Sequence, residues 1–293
     1  MNPETLAIAV RLCSFTVMSL IAGVPLFLAL AWGTRGDGSL VSIRTPYIAL
    51  AAFSAVLACL GPLISAAMMG GSPLIPIDWE LVSVIVSETA VGKAMIVRLI
   101  ASAALLLLAL RPRLFRLTVM IPLSTTAAAT LAWGGHAAAS EGAIGMLHLG
   151  SDIVHILGAS LWIGGMACLI LSLREDRFEQ AGPMLRVFAP VGSVIIALLL
   201  STGILNSVVT IGFGNLPALA STAYGQLLAA KIALFLIMLG LAANNRFRLV
   251  PSFEITPIES IPSLRMAILL EIVCAALILW LVAWFGTLDP TGI

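Results

Sequence analysis

Apolar residues along this chain run in long stretches, broken by short clusters of turn-forming and charged residues. A bilayer core needs about 20 apolar residues per helix. On that template the pattern predicts eight spans, near 5–32, 46–69, 81–110, 115–137, 144–173, 187–212, 224–245 and 263–286. The breaks carry turn chemistry: "GTRGDGS", "GGSPLIPIDWE", "RPRLFR", "GGHAAASEG", "REDRFEQAGP", "GFGNLP" and "RFRLVPSFEITPIESIPS". No long polar segment remains and no internal repeat stands out. The expectation is an all-α, polytopic membrane helix bundle forming one domain over residues 1–293.

The charges orient that bundle. Arg35 and Arg44 fall in the first loop, and Arg111, Arg113 and Arg116 in the third. Arg174, Arg177 and Arg186 surround the fifth, and Arg246, Arg248 and Arg265 the seventh, whereas the second, fourth and sixth loops have no Lys or Arg. Basic short loops stay cytoplasmic, so both termini are expected on the outer, periplasmic side. Composition agrees with a lipid solvent. Hydrophobic residues make up 60% of 293 positions and charged ones 10%, against roughly 25% charged in a soluble domain. The net charge of +1 offers nothing to nucleic acid. The N-terminus lacks a basic leader region and reads as the first span rather than a cleaved signal. Cys13, Cys59, Cys168 and Cys274 are scattered without CxxC spacing and read as structural thiols.

One span contradicts its own hydrophobicity. "MLHLGSDIVHILGASLWIGGM" holds two of the three histidines, His148 and His155, with Asp152 between them. Residues three and four apart share a helix face, so these three form a stripe that continues through Ala159 and Trp162 to Met166. An ionisable side chain facing lipid costs about 2.5–3.5 kcal/mol on the insertion scale, so the stripe faces the bundle interior. His136 ends the preceding span at the same surface, with Met146, Met68 and Met69 nearby.

Three chemistries use such a set. Imidazole with carboxylate and thioether can bind a metal, copper better than the hard cations. Facing histidines can hold haem b, and an intramembrane Asp–His chain can relay protons. With about 1.5 Å rise per residue, His148 and His155 stand roughly 10 Å apart along the axis, too far for an easy shared clamp. An outer position shared by His136 and His148, and a deeper one at His155 and Asp152, fit better. Asp152 could equally orient a histidine through Nδ1–H. Other intramembrane polar groups need partners too: Arg11, Glu88, Lys93, Arg98, Asn206, Lys231 and Glu271. Glu271 is expected to pair with Lys93 or Arg98, and Asn206, four residues after Thr202, to bridge helices. The glycines of "WIGGM" are expected to allow close helix approach.

These residues resemble a known family. "HAAASEGAIGMLHLGSDIVHILGASLWIGG", "LLSTGILNSVVTIG", "LASTAYGQLLAAKIALFLIMLGLAANNRFRLVP" and "LEIVCAALILWLVAWFGTLDP" are similar, in order, to segments of the CopD (copper resistance protein D) integral membrane proteins. The resemblance is strongest over 136–290 and weak in the first two spans. It implies an eight-span bacterial inner-membrane protein that takes copper, as Cu+ or Cu2+, from the periplasm and passes it inward. It also implies a separate periplasmic carrier of the CopC type as partner, with His136, His148, His155, Asp152 and Met146 as candidate ligands. Met166, Asn206, Lys231, Glu271 and Glu88 are candidates for the pathway or for structural pairing. No P-loop or phosphorylatable DKTG-like segment is present, so the expectation is a non-enzyme moving copper downhill or with a coupled ion. The alternatives are a haem-b electron carrier using the same histidines and a scaffold for copper oxidase assembly.

Overall fold

The computed structural model describes residues 3–34, 40–71, 73–135, 142–174, 179–212, 219 and 221–289. Every regular element among them is helical, and eight stretches are long and apolar enough to cross a membrane. Helices α1 (Pro3–Trp32) and α2 (Leu40–Met69) are followed by a short α3 (Trp79–Glu88) and by α4 (Ala90–Leu110). Next come α5 (Leu117–Ala129), which tightens into a 3₁₀ turn at Thr130–Gly134, then α6 (Gly142–Ser172) and α7 (Ala181–Ile211). Helix α8 (Ala223–Asn244) runs through a π turn (Asn245–Leu249) into α9 (Val250–Ile255), and α10 (Pro257–Phe285) closes the bundle.

Helices α1 and α6 form the centre, where their backbones touch. A Cβ on Gly23 would lie 1.8 Å from the Ser160 carbonyl oxygen, and one on Gly164 2.1 Å from the Gly23 carbonyl carbon. With lipid outside there is no hydrophobic drive between helices, so such small-residue contacts supply the attraction. The "WIGGM" glycines act as expected. Around this pair, α2, α4 and α5 pack on the α1 side, while α7, α8 and α10 pack on the other. Trp162, Phe27 and Phe188 interlock edge to face near the middle.

Three spans differ from expectation. The third breaks at Thr89, whose extended backbone ends α3 and whose hydroxyl caps α4 by accepting from Gly92 N–H at 3.0 Å. Gly92 permits the fold-back, because a Cβ there would stand 2.1 Å from the Ile85 carbonyl oxygen. Glu88, expected within the third span, sits exposed at the end of α3, just before the apolar helix Ala90–Leu110. The seventh loop is largely helical, since Pro251 and Pro257 occupy first-turn positions where no N–H is needed. The fourth span ends at Gly134, whose carbonyl accepts from Arg11 Nη1 at 2.9 Å.

The arginines have local partners. Arg44 donates to the Ala109 and Leu110 carbonyls at 2.6 and 3.1 Å, satisfying the end of α4. Arg98 is buried and donates from Nε to Thr130 Oγ1 at 2.8 Å. The expected pairing of Glu271 with Lys93 or Arg98 does not form. Helix α4 packs on α2 and α5, whereas α10 packs on α1, α6 and α8, and Lys93 is exposed. Glu271 instead accepts from Asn245 Nδ2 at 2.5 Å. All four cysteines are free. Cys168 and Cys274 are buried, Cys13 is half-buried, and Cys59 faces outward.

Candidate functional site

Helices α6 and α7 run antiparallel, and each polar residue of the α6 stripe meets one on α7. His148 Nε2 lies 3.4 Å from Thr210 Oγ1, Asp152 Oδ1 accepts from Asn206 Nδ2 at 3.2 Å, and His155 Nδ1 lies 2.9 Å from Thr202 Oγ1. The α7 partners are spaced by four residues, so they too form one face. Asn206 was expected to bridge helices, and it does. Thr202 and Thr210 carry no chemistry by composition. Their i, i+4, i+8 register with Asn206 is the sequence signal that would have found them.

The hydrogen bonds fix the chemistry of His155. A threonine hydroxyl has one hydrogen to give, and that of Thr202 goes to the Leu198 carbonyl at 2.5 Å. Thr202 Oγ1 must then accept from His155, so the proton of the neutral imidazole sits on Nδ1. The lone pair is left on Nε2, available to a metal. A partner that fixes the tautomer in this way is a regular companion of ligating histidines.

The stripe lines a cavity of about 190 Å³ between α1, α6, α7, α8 and α10. Arg11, Tyr224 and Lys231 share its wall. The Lys231 amine lies 5.7 Å from the centre of the Phe285 ring, on the same cavity wall as Asp152. Asp152 Oδ2 lies beside Gly135. His136, the next residue, is outside the described residues. Met146 does not join the cavity: it is 78% exposed, on the opposite face of α6. Met68 and Met69 line a separate cavity with Arg11 and Arg98. Met166 lies further along α6, in a third cavity that also holds Glu271.

Among the described residues no three His, Cys, Asp or Glu side chains gather into one metal-binding group. The donors are strung along the helix, as the seven-residue separation of His148 and His155 requires. The volume suits an ion with a few waters of roughly 30 Å³ each. It falls below the ~300–1,000 Å³ typical of pockets that enclose larger ligands.

Comparison with known proteins bears on what this arrangement serves. Residues 1–146 match the family "Copper resistance protein D-like, N-terminal domain", and residues 182–285 match "Copper resistance protein D". Copper resistance protein D of Pseudomonas syringae pv. tomato is 31% identical over 307 residues, covering 98% of this chain and 97% of that one. Inner membrane protein YebZ of Escherichia coli (strain K12) is 30% identical over 175 residues, 59% of either chain. Copper transport protein CutJ of Bacillus subtilis (strain 168) is 37% identical over 117 residues, 38% of this chain and 21% of that one. No solved structure matches. With matches at both ends and one relative aligned almost from end to end, this chain belongs to the copper resistance protein D family.

Proposed function

We propose that this protein carries copper across the bacterial inner membrane, taking it at the histidine end of the bundle and releasing it at the opposite end. The coarser statement, a copper-handling membrane protein, follows from its family and its eight spans. The finer reading rests on one observation: the α6 stripe offers donors in succession along a cavity rather than a closed cage. Cargo in transit must be held firmly enough to enter and weakly enough to leave, over several sites. His155 Nε2 and the Asp152 carboxylate supply the deeper position. His148 supplies the outer one, with His136 as its proposed companion.

Lys231 gives the release step a charge logic. While the cavity is without copper, its ammonium offsets the Asp152 carboxylate. A copper ion bound at Asp152 stands against that ammonium and is bound less tightly for it. The outward orientation of the histidine end is supported by the loops: every Lys and Arg of the connecting segments falls at the other end. The inner membrane is supported by the designation of the Escherichia coli relative. A separate periplasmic carrier of the CopC type would deliver the ion, and movement would be downhill or coupled to another ion, without ATP hydrolysis.

Metal analysis of purified variants tests the site. His148→Ala and His155→Ala should each lower the copper bound per chain while leaving the bundle folded. Unchanged stoichiometry in both would remove the site.

A further inference from the structure

Five buried side-chain polar atoms have no hydrogen-bond partner among the described residues: Arg11 Nε, Asn206 Oδ1, Trp162 Nε1, Asn245 Oδ1 and Glu271 Oε2. Arg11 and Asn206 line the histidine cavity. The other three line one further cavity, of about 350 Å³, toward the opposite end of the bundle. Buried polar groups in native proteins are nearly always satisfied, so this second concentration of unmet atoms calls for an occupant.

Glu271 is 2% exposed, and its carboxylate is held through one oxygen only. Asn245 Nδ2 bonds Oε1, which leaves Glu271 Oε2 and Asn245 Oδ1 as two unmet acceptors on neighbouring side chains. The π turn at Asn245–Leu249 sets this pair: it turns Asn245 inward while Phe247 faces out, the kind of local insertion that π geometry provides at functional sites. Arg246 also lines the cavity, but its guanidinium is engaged by Ser193 and the Ala189 carbonyl on α7. Met166, 1% exposed, adds a thioether to the same cavity.

The donor set selects the ion. Hard cations such as calcium take six to eight oxygens, and the two unmet side-chain oxygens here, with Ser193 already engaged by Arg246 and most of the wall apolar, cannot supply them. A thioether favours the soft, singly charged copper ion, whose charge also neutralises one buried carboxylate. We infer that Glu271, Asn245 and Met166 form a second Cu(I) position, one way-station beyond the histidine cavity. The inference deepens the proposed transport and rests on it. Ala159 lines the first cavity and Trp162 the second, so the two are about one helical turn apart on α6. Trp162, packed edge to face on Phe188, stands at that step.

Anaerobic Cu(I) titration of the purified full-length protein against a chromophoric Cu(I) chelator, with X-ray absorption on the loaded protein, tests this. Met166→Leu conserves volume and Glu271→Gln conserves shape, so both variants should fold. Each should bind one copper fewer than the wild type, and Met166→Leu should also lose sulfur from the copper shell. A His148→Ala/His155→Ala variant should lose the two histidine positions, binding two fewer, yet keep the sulfur contribution. Wild-type stoichiometry in either Met166→Leu or Glu271→Gln overturns the second position. Loss of all copper from the histidine variant overturns it too. If only the histidine variant behaves as wild type, the second position stands and the histidine site fails. A wild-type chain that binds no Cu(I) overturns both.

Discussion

Thr202 shows how a residue without metal chemistry can govern a metal site. Its hydroxyl hydrogen goes to Leu198 and its oxygen accepts from His155, which places the imidazole lone pair on Nε2. Replacing it by Val leaves Nδ1–H unsatisfied and frees the ring to rotate. Loss of such a partner weakens metal binding by about 10–100-fold in known sites. Thr202→Val should therefore weaken copper binding by about that factor in a chelator competition, and Thr202→Ser should restore it. Wild-type affinity in Thr202→Val would show that the hydrogen bond does not orient a ligand. The α6 stripe was legible from spacing alone, because i, i+4 and i+7 share a face whatever surrounds the helix. On α7 only Asn206 was expected to bridge helices; its pairing with Asp152, and the roles of Thr202 and Thr210, were not legible, since they require knowing that α6 and α7 are antiparallel and in which register. Met146 illustrates the same limit: proximity in sequence placed it near His148, and helix rotation turned it away.

At the scale of elements, two contacts make distinct claims. The α1–α6 crossing has backbone against backbone, so Gly23→Ala must push the helices apart. Overpacking of this kind costs about 1–3 kcal/mol, and the variant should melt earlier in detergent than the wild type. Gly240→Ala, where a Cβ would meet nothing within 4 Å, should melt no earlier. Equal melting of the two variants would contradict the close crossing. Arg98 and Glu271 lie on helices that do not pack together, so the effects of Arg98→Met and Glu271→Gln on stability should add within about 0.5 kcal/mol. A larger coupling, measured by a double-mutant cycle, would reinstate the ion pair that intramembrane depth suggested. Depth alone could pair those charges because a hydropathy reading assigns height in the bilayer but not which helices are neighbours. The break at Thr89 was hidden for a related reason. Its cap lies in a three-residue polar cluster, Ser87, Glu88 and Thr89, too short to interrupt a span on hydropathy, and the contact between Gly92 and the Ile85 carbonyl reveals the fold-back.

Across the whole molecule, hydropathy was enough for eight spans, since a bilayer demands helices of a set length. The bundle brings into two cavities residues that the sequence separates widely, such as Asp152 with Lys231 and Met166 with Glu271. One end carries His148 and His155, and the other carries Arg44, Arg111, Arg113 and Arg116. Arg113 and Glu80 are both exposed, in the third and second loops, so each offers a reporter position on one side of the membrane. In a cysteine-free background, Arg113→Cys should react with a membrane-impermeant thiol reagent only after the cells are opened, and Glu80→Cys already in intact spheroplasts. The reverse pattern would invert the direction of transport proposed here. That direction matters only if copper moves through the bundle at all, and flux into proteoliposomes measures it most directly. With Cu(I) supplied outside and a Cu(I) indicator enclosed, vesicles holding the wild-type protein should fill faster than protein-free vesicles. Those holding His148→Ala/His155→Ala should fill no faster than protein-free ones. Filling at the wild-type rate in the histidine variant, or no filling above background in the wild type, would contradict the account.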